Sequence, residues 1–324
     1  MSELLARWLS ELRIRHTFLV IGRLGGAAAV RIEPEGVAAF HYCQRGPCTI
    51  APVGHAQIQL GDGDFVFMRD GLARVAWGGD AARRDRPVAL RSLVSAVPRD
   101  GAVAFSLGAA DRVLLGGAFC IDSPEARMFV AALPPVFCVR RGAAHTARLS
   151  AIFDELVDEA TAANPGAGPI VARLAEVAVL IAVRSFVTTD GHASSLVDAA
   201  RDPRLGRALA TIHREPARRW TVARLGRVAG MSRSGFAAAF TERVGEAPAA
   251  YLARVRMAQA ERMLLERDRP LPKIAEAVGY ASAAAFSVAF KRLRGVSPSE
   301  IGGATRAPRG AARRKLAARS DDQS

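Results

Sequence analysis

The sequence predicts two domains of different class: an N-terminal mainly-β barrel carrying a helical hairpin, and a C-terminal all-α domain built from a duplicated helix-turn-helix. Three observations carry this. The chain has 324 residues, enough for two cores. Its texture changes along its length, from short apolar stretches broken by turns to helical periodicity. Its charge is also divided: residues 1–200 hold 20 basic and 20 acidic groups, and residues 201–324 hold 25 basic and 11 acidic, so the whole net charge of +14 falls in the second part. A neutral part joined to a basic part predicts one domain that meets a polyanion and one that does not. A chain that is 50% hydrophobic and 23% charged is neither disordered nor low-complexity.

The elements follow in order. Leu4, Leu5, Trp8, Leu9 and Leu12 recur at helical spacing and predict an N-terminal amphipathic helix. From about 31 to 140, alternating apolar residues (Ile58 and Leu60; Val103, Phe105 and Leu107) flank turns such as Gly61-Asp62-Gly63-Asp64 and Asp70-Gly71. Many short strands at this spacing predict a small barrel or sandwich, assigned to residues 1–142. In 143–190, one stripe (Leu149, Ile152, Phe153, Leu156) and a second (Ile170, Leu174, Val177, Ile181) flank Asn164-Pro165-Gly166. This is a helical hairpin with more apolar surface than it can bury internally. The surplus fits either a homodimer contact or packing on the barrel. Residues 191–204 read as a linker, 205–302 as the helical domain, and 303–324 as a basic disordered tail. The longest apolar run, Val177–Val183, cannot span a bilayer, and no signal peptide is visible, so a cytoplasmic protein without a membrane partner is expected.

The helical domain repeats itself. Leu225, Gly230, Phe236, Phe240, Gly245 and Pro248 recur as Ile274, Gly279, Phe286, Phe290, Gly295 and Pro298, offset by 49 or 50 residues. Each copy reads as a short helix, a turn at glycine, and a second helix. Ser232 and Ser282 sit where N-caps belong. The Phe pairs at i,i+4 bury one face of the second helix. Gly245 and Gly295 suit the residue just past a helix end.

This sequence resembles the C-terminal DNA-binding domain of the AraC/XylS family of bacterial transcription regulators. The resemblance is carried by Ile274-Ala275-Glu276-Ala277-Val278-Gly279-Tyr280, Phe286-Ser287-Val288-Ala289-Phe290-Lys291-Arg292 and Gly295-Val296-Ser297-Pro298. It implies two helix-turn-helix units on adjacent major-groove segments of double-stranded DNA, with activation through RNA polymerase. With the Phe pairs inward, the outward positions expected to meet bases are Arg233, Ser234, Ala237, Ala238 and Thr241, then Ala284, Ala285, Ser287, Val288 and Lys291. Mostly small apolar side chains stand there, where the family usually carries Arg, Gln or Asn. Such side chains touch a thymine methyl or let the backbone approach closely. Arg218, Arg219, Arg254 and Arg256 are the expected phosphate contacts.

The region 36–140 resembles the cupin-type sensor domain of one branch of that family, through Phe40-His41-Tyr42, Arg45-Gly46-Pro47-Cys48, Gly61–Met68 and Leu133-Pro134-Pro135-Val136. The barrel is therefore expected to be cupin-like and to take an unidentified small-molecule effector. Catalytic cupins hold a metal through a His-x-His pair, a Glu and a later His. Here Tyr42 and Cys43 follow His41, and Arg74 stands near the position of the later His, so no metal, cofactor or catalytic residue is expected. His41, Cys43 and Cys48 remain candidates for a ligand or redox site, against the plainer reading of buried cysteines as small hydrophobes. The expected function is a sequence-specific DNA-binding regulator, of the activator type, answering a small-molecule or redox signal. The alternatives are a cupin-type metalloenzyme, a DNA-repair alkyl acceptor, or a nonspecific DNA binder.

Overall fold

A computed structural model describes residues 2–12, 14–33, 38–79, 86–94, 101–142, 146–162, 164–189, 195–267 and 269–304. The chain divides into two compact units, one over Leu5–Val197 and one beginning at Asp198. No helix among the described residues is long and apolar enough to cross a membrane.

The first unit opens with helix α1 (Ser2–Glu11), whose Trp8 stacks on Phe129 at 4.7 Å. Eleven strands are described: β1 (Ile14–Leu24), β2 (Ala29–Ile32), β3 (Ala38–Arg45), β4 (Cys48–Pro52), β5 (Ile58–Leu60), β6 (Phe65–Met68), β7 (Arg74–Gly78), β8 (Val88–Ala89), β9 (Gly101–Leu107), β10 (Arg112–Ile121) and β11 (Val136–Val139). Helices α2 (Leu90–Leu93) and α3 (Pro124–Ala131) interrupt them, and α4 (Thr146–Ala162) and α5 (Ala167–Thr188) close the unit. The expected mainly-β, cupin-like domain is borne out, and its described strands form two sheets, of six strands in the order β11-β6-β3-β10-β1-β9 and of five in the order β5-β4-β7-β2-β8. Leu24, Val66 and Leu114 of the first sheet and Val30, Ile50 and Ala76 of the second share one buried apolar core.

That arrangement explains why β6, like the first six residues of β3, does not alternate. All four of its side chains are buried, since its sheet is covered on both faces. Val66 points to the other sheet, while Phe65 lies tilted against Phe153 of α4 and Phe67 stacks on Phe137 of β11. Tyr42 stacks on Phe153 at 4.1 Å and Phe137 on Phe186 of α5 at 4.1 Å. The hairpin is therefore fixed to the six-stranded sheet by aromatic packing, each such pair adding about 0.5–1.5 kcal/mol beyond area burial. The stripe Leu149, Phe153, Leu156 is buried as expected. The second stripe is not the inner one. The face of α5 turned inward is Val171, Ala175, Ala178, Val179, Ala182 and Val183, and Ile170 and Val177 stay 48% and 44% exposed.

The second unit is helical: α6 (Ser195–Arg201), α7 (Pro203–Arg214), α8 (Val222–Ala229), α9 (Arg233–Val244), α10 (Pro248–Glu266), α11 (Leu271–Ala277), α12 (Ala283–Arg294) and α13 (Pro298–Ala304). The linker expected at 191–204 is corrected over its described part. Helix α6 occupies most of it, and Asp202 caps α7 by accepting from the Arg204 and Leu205 amides. The basic tail expected from 303 lies outside the described residues beyond Ala304.

Candidate nucleic-acid interface and an apolar cavity

Helices α9 and α12 are built by the same local chemistry. The Ser232 hydroxyl accepts from the Gly235 amide, and the Ser282 hydroxyl from the Ala285 amide, both at 3.1 Å. These caps satisfy donors that a helix start leaves open. Gly245 and Gly295 close the helices at φ of 85° and 77°, where an L side chain is strained. Phe236, Phe240, Phe286 and Phe290 are all 0% exposed, with ring centroids 5.4 Å apart within each pair. Helix α10 runs between the two copies, giving Tyr251 to the first Phe pair and Met257, Met263 and Leu264 to the core of the second.

Burying the Phe face forces the opposite face outward. Arg233, Ser234, Ala238 and Thr241 are exposed on α9, and Ala284, Ala285, Val288 and Lys291 on α12. Val288 is 71% exposed, a large apolar side chain that the fold leaves in solvent beside a cation. Two candidates sit less openly. Ala237 is half-buried, and so is Ser287, whose hydroxyl donates to the Ala283 carbonyl at 2.8 Å.

The basic candidates divide. Arg219 is exposed. Arg218 is exposed and pairs with Glu215 at 3.0 Å over the Trp220 ring. Arg254 pairs with Glu246 at 2.5 Å. Ion pairs at such exposure are worth little, so both arginines can be recruited by phosphate. Arg256 is half-buried and differently placed. Its guanidinium donates to the Pro216 and Arg218 carbonyls at 2.8 and 3.0 Å and lies over the Tyr280 ring. It staples the loop before α8 to the turn after α11, because burial among carbonyl oxygens satisfies a guanidinium as a phosphate would.

A cavity of about 40 Å³ lies in the first unit. Its wall is apolar, from Val20, Val30, Ile32, Ala76, Phe105 and Leu114 among others, with His41 and Arg74 as the polar side chains among those lining it. These two come from different sheets and are 2% and 6% exposed. Arg74 donates from Nε to His41 Nε2 at 2.6 Å and from Nη1 to the Leu72 carbonyl at 2.8 Å. Burial first, and then the Arg74 charge, hold the imidazole well below its usual pKa, so it is neutral. The Nε2 lone pair that would ligate a metal is therefore occupied by a guanidinium.

Cys43 and Cys48 are buried beside this cavity in the inter-sheet core. Cys43 donates to the Gly46 carbonyl at 2.8 Å. Its hydrogen bond with Cys48 and its burial push the thiol up, away from the reactive thiolate. Burial likewise raises Cys138.

Comparison with known proteins bears on both units. A cupin family model matches residues 3–188, and a helix-turn-helix domain model matches residues 225–303. The chain is 33% identical over 287 residues to an AraC-like transcription regulator of Streptomyces lividans, covering 85% of this chain and 90% of that one. A second AraC-like regulator, from Streptomyces antibioticus, is 34% identical over 292 residues, with the same coverage. The chain belongs to the AraC-like family of transcription regulators. It is also similar to the DNA-binding domain of the global transcriptional factor AdpA, solved with target DNA. That likeness has 30% identity and a TM-score of 0.31, over 32% of this chain and 94% of that one.

This AraC-like protein is thus a DNA-binding transcription regulator with a cupin N-terminal domain, and its relatives over most of the chain are regulators rather than enzymes. Sequence reasoning missed the contact between His41 and Arg74. Arg74 was singled out for standing near a metal-ligand position, but nothing local in its strand says that its guanidinium turns inward.

Proposed function

We propose that this AraC-like regulator reads adjacent major-groove segments of double-stranded DNA with α9 and α12, and that the cupin domain sets its activity in response to a small molecule. The observation that carries the reading is the pair of capped helices whose buried Phe faces leave Arg233, Thr241, Val288 and Lys291 outward in the basic part of the chain. A helix fits the major groove, and cations beside it release counterions from the phosphates. Val288 and its alanine neighbours suit the thymine methyl, while Arg233 and Lys291 suit guanine or phosphate.

The test is footprinting and affinity measurement of the whole protein on genomic fragments. Affinity is expected to fall with salt, each neutralised phosphate adding about −0.9 to the log–log slope. Arg233→Ala is expected to weaken specific binding by about 1–3 kcal/mol. Val288→Glu is expected to abolish binding with thermal stability kept, since the side chain is 71% exposed. Wild-type affinity in Val288→Glu, or salt-independent binding, rejects the interface. Uniform coverage of the fragments would favour a nonspecific binder.

The outer stripe of α5, exposed at Ile170 and Val177 and half-buried at Leu174 and Ile181, supports homodimerisation. Ile170, Leu174, Val177 and Ile181 lie on one helical face, and the sheet already occupies the opposite one. A self-complementary apolar stripe suits a two-fold contact, which would set two DNA-binding units on one operator. Val177→Glu is expected to give a monomeric mass in sedimentation; an unchanged dimer, or a monomeric wild type, rejects this surface. The regulated step is recruitment of RNA polymerase, as in activators of this family. For the signal, the apolar cavity favours a small molecule over oxidation of Cys43 and Cys48, since a buried thiol whose proton is held on a carbonyl reacts slowly.

A further inference from the structure

We infer that a groove at one end of the six-stranded sheet, walled by α3, takes an organic monoanion with an apolar body, its charged head held by Arg69. The inference deepens the reading of the cupin domain as a small-molecule sensor and rests on that reading for its regulatory meaning, though not for its chemistry.

Size is the first reason. The cavity beside His41 and Arg74, at about 40 Å³, has room for roughly three waters, so an effector of more than a few heavy atoms needs another seat. The groove has a volume of about 700 Å³ and opens to solvent. That lies within the ~300–1,000 Å³ of small-molecule sites. Among the described residues it is lined by Arg69, Asp70, Ile121, Arg127, Val130 and Ala131, with the start of β3 and Cys120 of β10.

The strand pairing builds the groove. Strand β3 runs antiparallel to both β6 and β10, so the end of β6, the start of β3 and the end of β10 lie side by side. The chain passes from β10 into α3 within two residues, with Ser123 as the cap and Pro124 in the first turn. The Arg69 amide donates to the Pro135 carbonyl at 2.9 Å, which ties the end of β6 to the segment that follows α3. Helix α3 thus stands as a wall beside the three strand ends.

Arg69 decides the head of the ligand. Its Nε donates to Asp70 at 3.0 Å, and its Nη1 to the Ala131 and Leu133 carbonyls at 2.9 and 3.1 Å. These bonds fix the guanidinium plane and satisfy carbonyls at the C-terminal end of α3. Capping uses Nη1 alone. Nη2 meets no acceptor among the described residues, although the side chain is only 26% exposed. Two donors therefore remain on a permanently charged group already held in one orientation, so little ordering is lost when an anion docks. Asp70 is engaged by Arg69, and Arg127 acts through its charge. Two guanidiniums and one carboxylate leave a single net positive charge on the lining, which a monoanion balances. A carboxylate or a sulfonate supplies the acceptor oxygens. Ile121, Val130 and Ala131 have no hydrogen-bonding side chain, so the body beside that head is apolar.

The experiment is calorimetric titration of the full chain with sodium 2-naphthoate at constant ionic strength. Sodium 2-naphthalenesulfonate tests the other acid head, 2-naphthamide is the uncharged isostere, and inorganic phosphate is the anion without an apolar body. Naphthoate or naphthalenesulfonate is expected to bind at the groove at least tenfold tighter than the amide, with no heat from phosphate. Arg69→Gln is expected to remove that preference for the acid. Ala131→Trp fills the groove from an exposed helix position and leaves Arg69 in place. It is expected to weaken the acid at least tenfold, and it keeps the test alive should Arg69→Gln fail to fold. The amide or phosphate binding as tightly as the acid overturns the assignment. So does an Ala131→Trp protein that binds the acid like wild type, or the absence of heat from both acids. The DNA affinity of the same samples separates the two readings. An acid that binds as described and leaves DNA affinity unchanged upholds the ligand class and removes the effector role.

Discussion

Phe286→Ala is expected to cost about 3–5 kcal/mol and to abolish DNA binding by the second helix-turn-helix. The ring is 0% exposed and sits at the centre of a core made with Met257, Met263, Ile274, Ala275, Val278 and Phe290. It meets Tyr280 edge-on at 5.8 Å. Truncation removes the transfer free energy of the ring and leaves a cavity that the neighbours on four helices cannot collapse into. A domain of this size is stable by about 5–15 kcal/mol, so the loss is a large fraction of the whole. Since α12 is held mainly by Phe286 and Phe290, the recognition face loses its seat before the rest of the unit unfolds. Denaturant unfolding of the variant checks the first part, and affinity at low temperature, where the fold is retained, checks the second. A loss under 1 kcal/mol would mean that the duplicated Phe pair is not the anchor of the recognition helices. Phe236→Ala should behave alike in the first copy, because that ring has the same burial and the same i,i+4 partner geometry.

Gly279→Ala is expected to be nearly as damaging, by about 2–5 kcal/mol, for a different reason. The residue has φ of 81°, and a Cβ there would lie 2.3 Å from the Ala217 carbonyl oxygen and 2.9 Å from Arg256 Nη2. Left-handed backbone strain for a residue with a side chain costs about 1–2 kcal/mol by itself. The forced displacement of backbone adds about 1–3 kcal/mol. Gly245→Ala is the control, with φ of 85° and open space around the added atom, and should cost only the strain. The consequence for function follows from where the clash falls. Ala217 lies in the loop entering the first helix-turn-helix and Gly279 in the turn of the second. Arg256 ties the same two segments together through the Pro216 and Arg218 carbonyls. Pushing them apart re-aims one recognition helix against the other, so DNA affinity should fall more than tenfold even in protein that remains folded. Equal stabilities for the two glycine variants would show that the contact with Ala217 carries nothing.

How much of this was legible depends on the range of the signal. The caps at Ser232 and Ser282, the helix ends at Gly245 and Gly295, and the Phe pairs are chemistry between residues at most four apart. The duplication printed them twice, so these features were read correctly along with the fold class of the second unit. The alternation at Ile58–Leu60 and the turn at Gly61–Asp64 are equally local. Helix α5 is where local reading fails. It is apolar on two faces, and periodicity of 3.6 residues fits Ile170-Leu174-Val177-Ile181 as well as Val171-Ala175-Ala178-Ala182. Which face turns inward was settled by the aromatic surface of the six-stranded sheet, where small side chains let the helix approach.

By itself, then, the amino-acid order determined the two-domain division, the twin capped helices, the outward placement of Arg233, Val288 and Lys291, and the basic character of the part that holds them. Folding in three dimensions decided how the strands divide between two sheets, and that Arg256 turns to carbonyls in its own domain. It also decided that Arg74 reaches His41, 33 residues away in sequence, across the gap between the sheets. The reason is that caps, helix ends and i,i+4 pairs are settled within a turn or two of chain. The partner of a buried guanidinium or imidazole is set by which distant strands share a core, and that choice minimises unsatisfied charge and void over the whole domain.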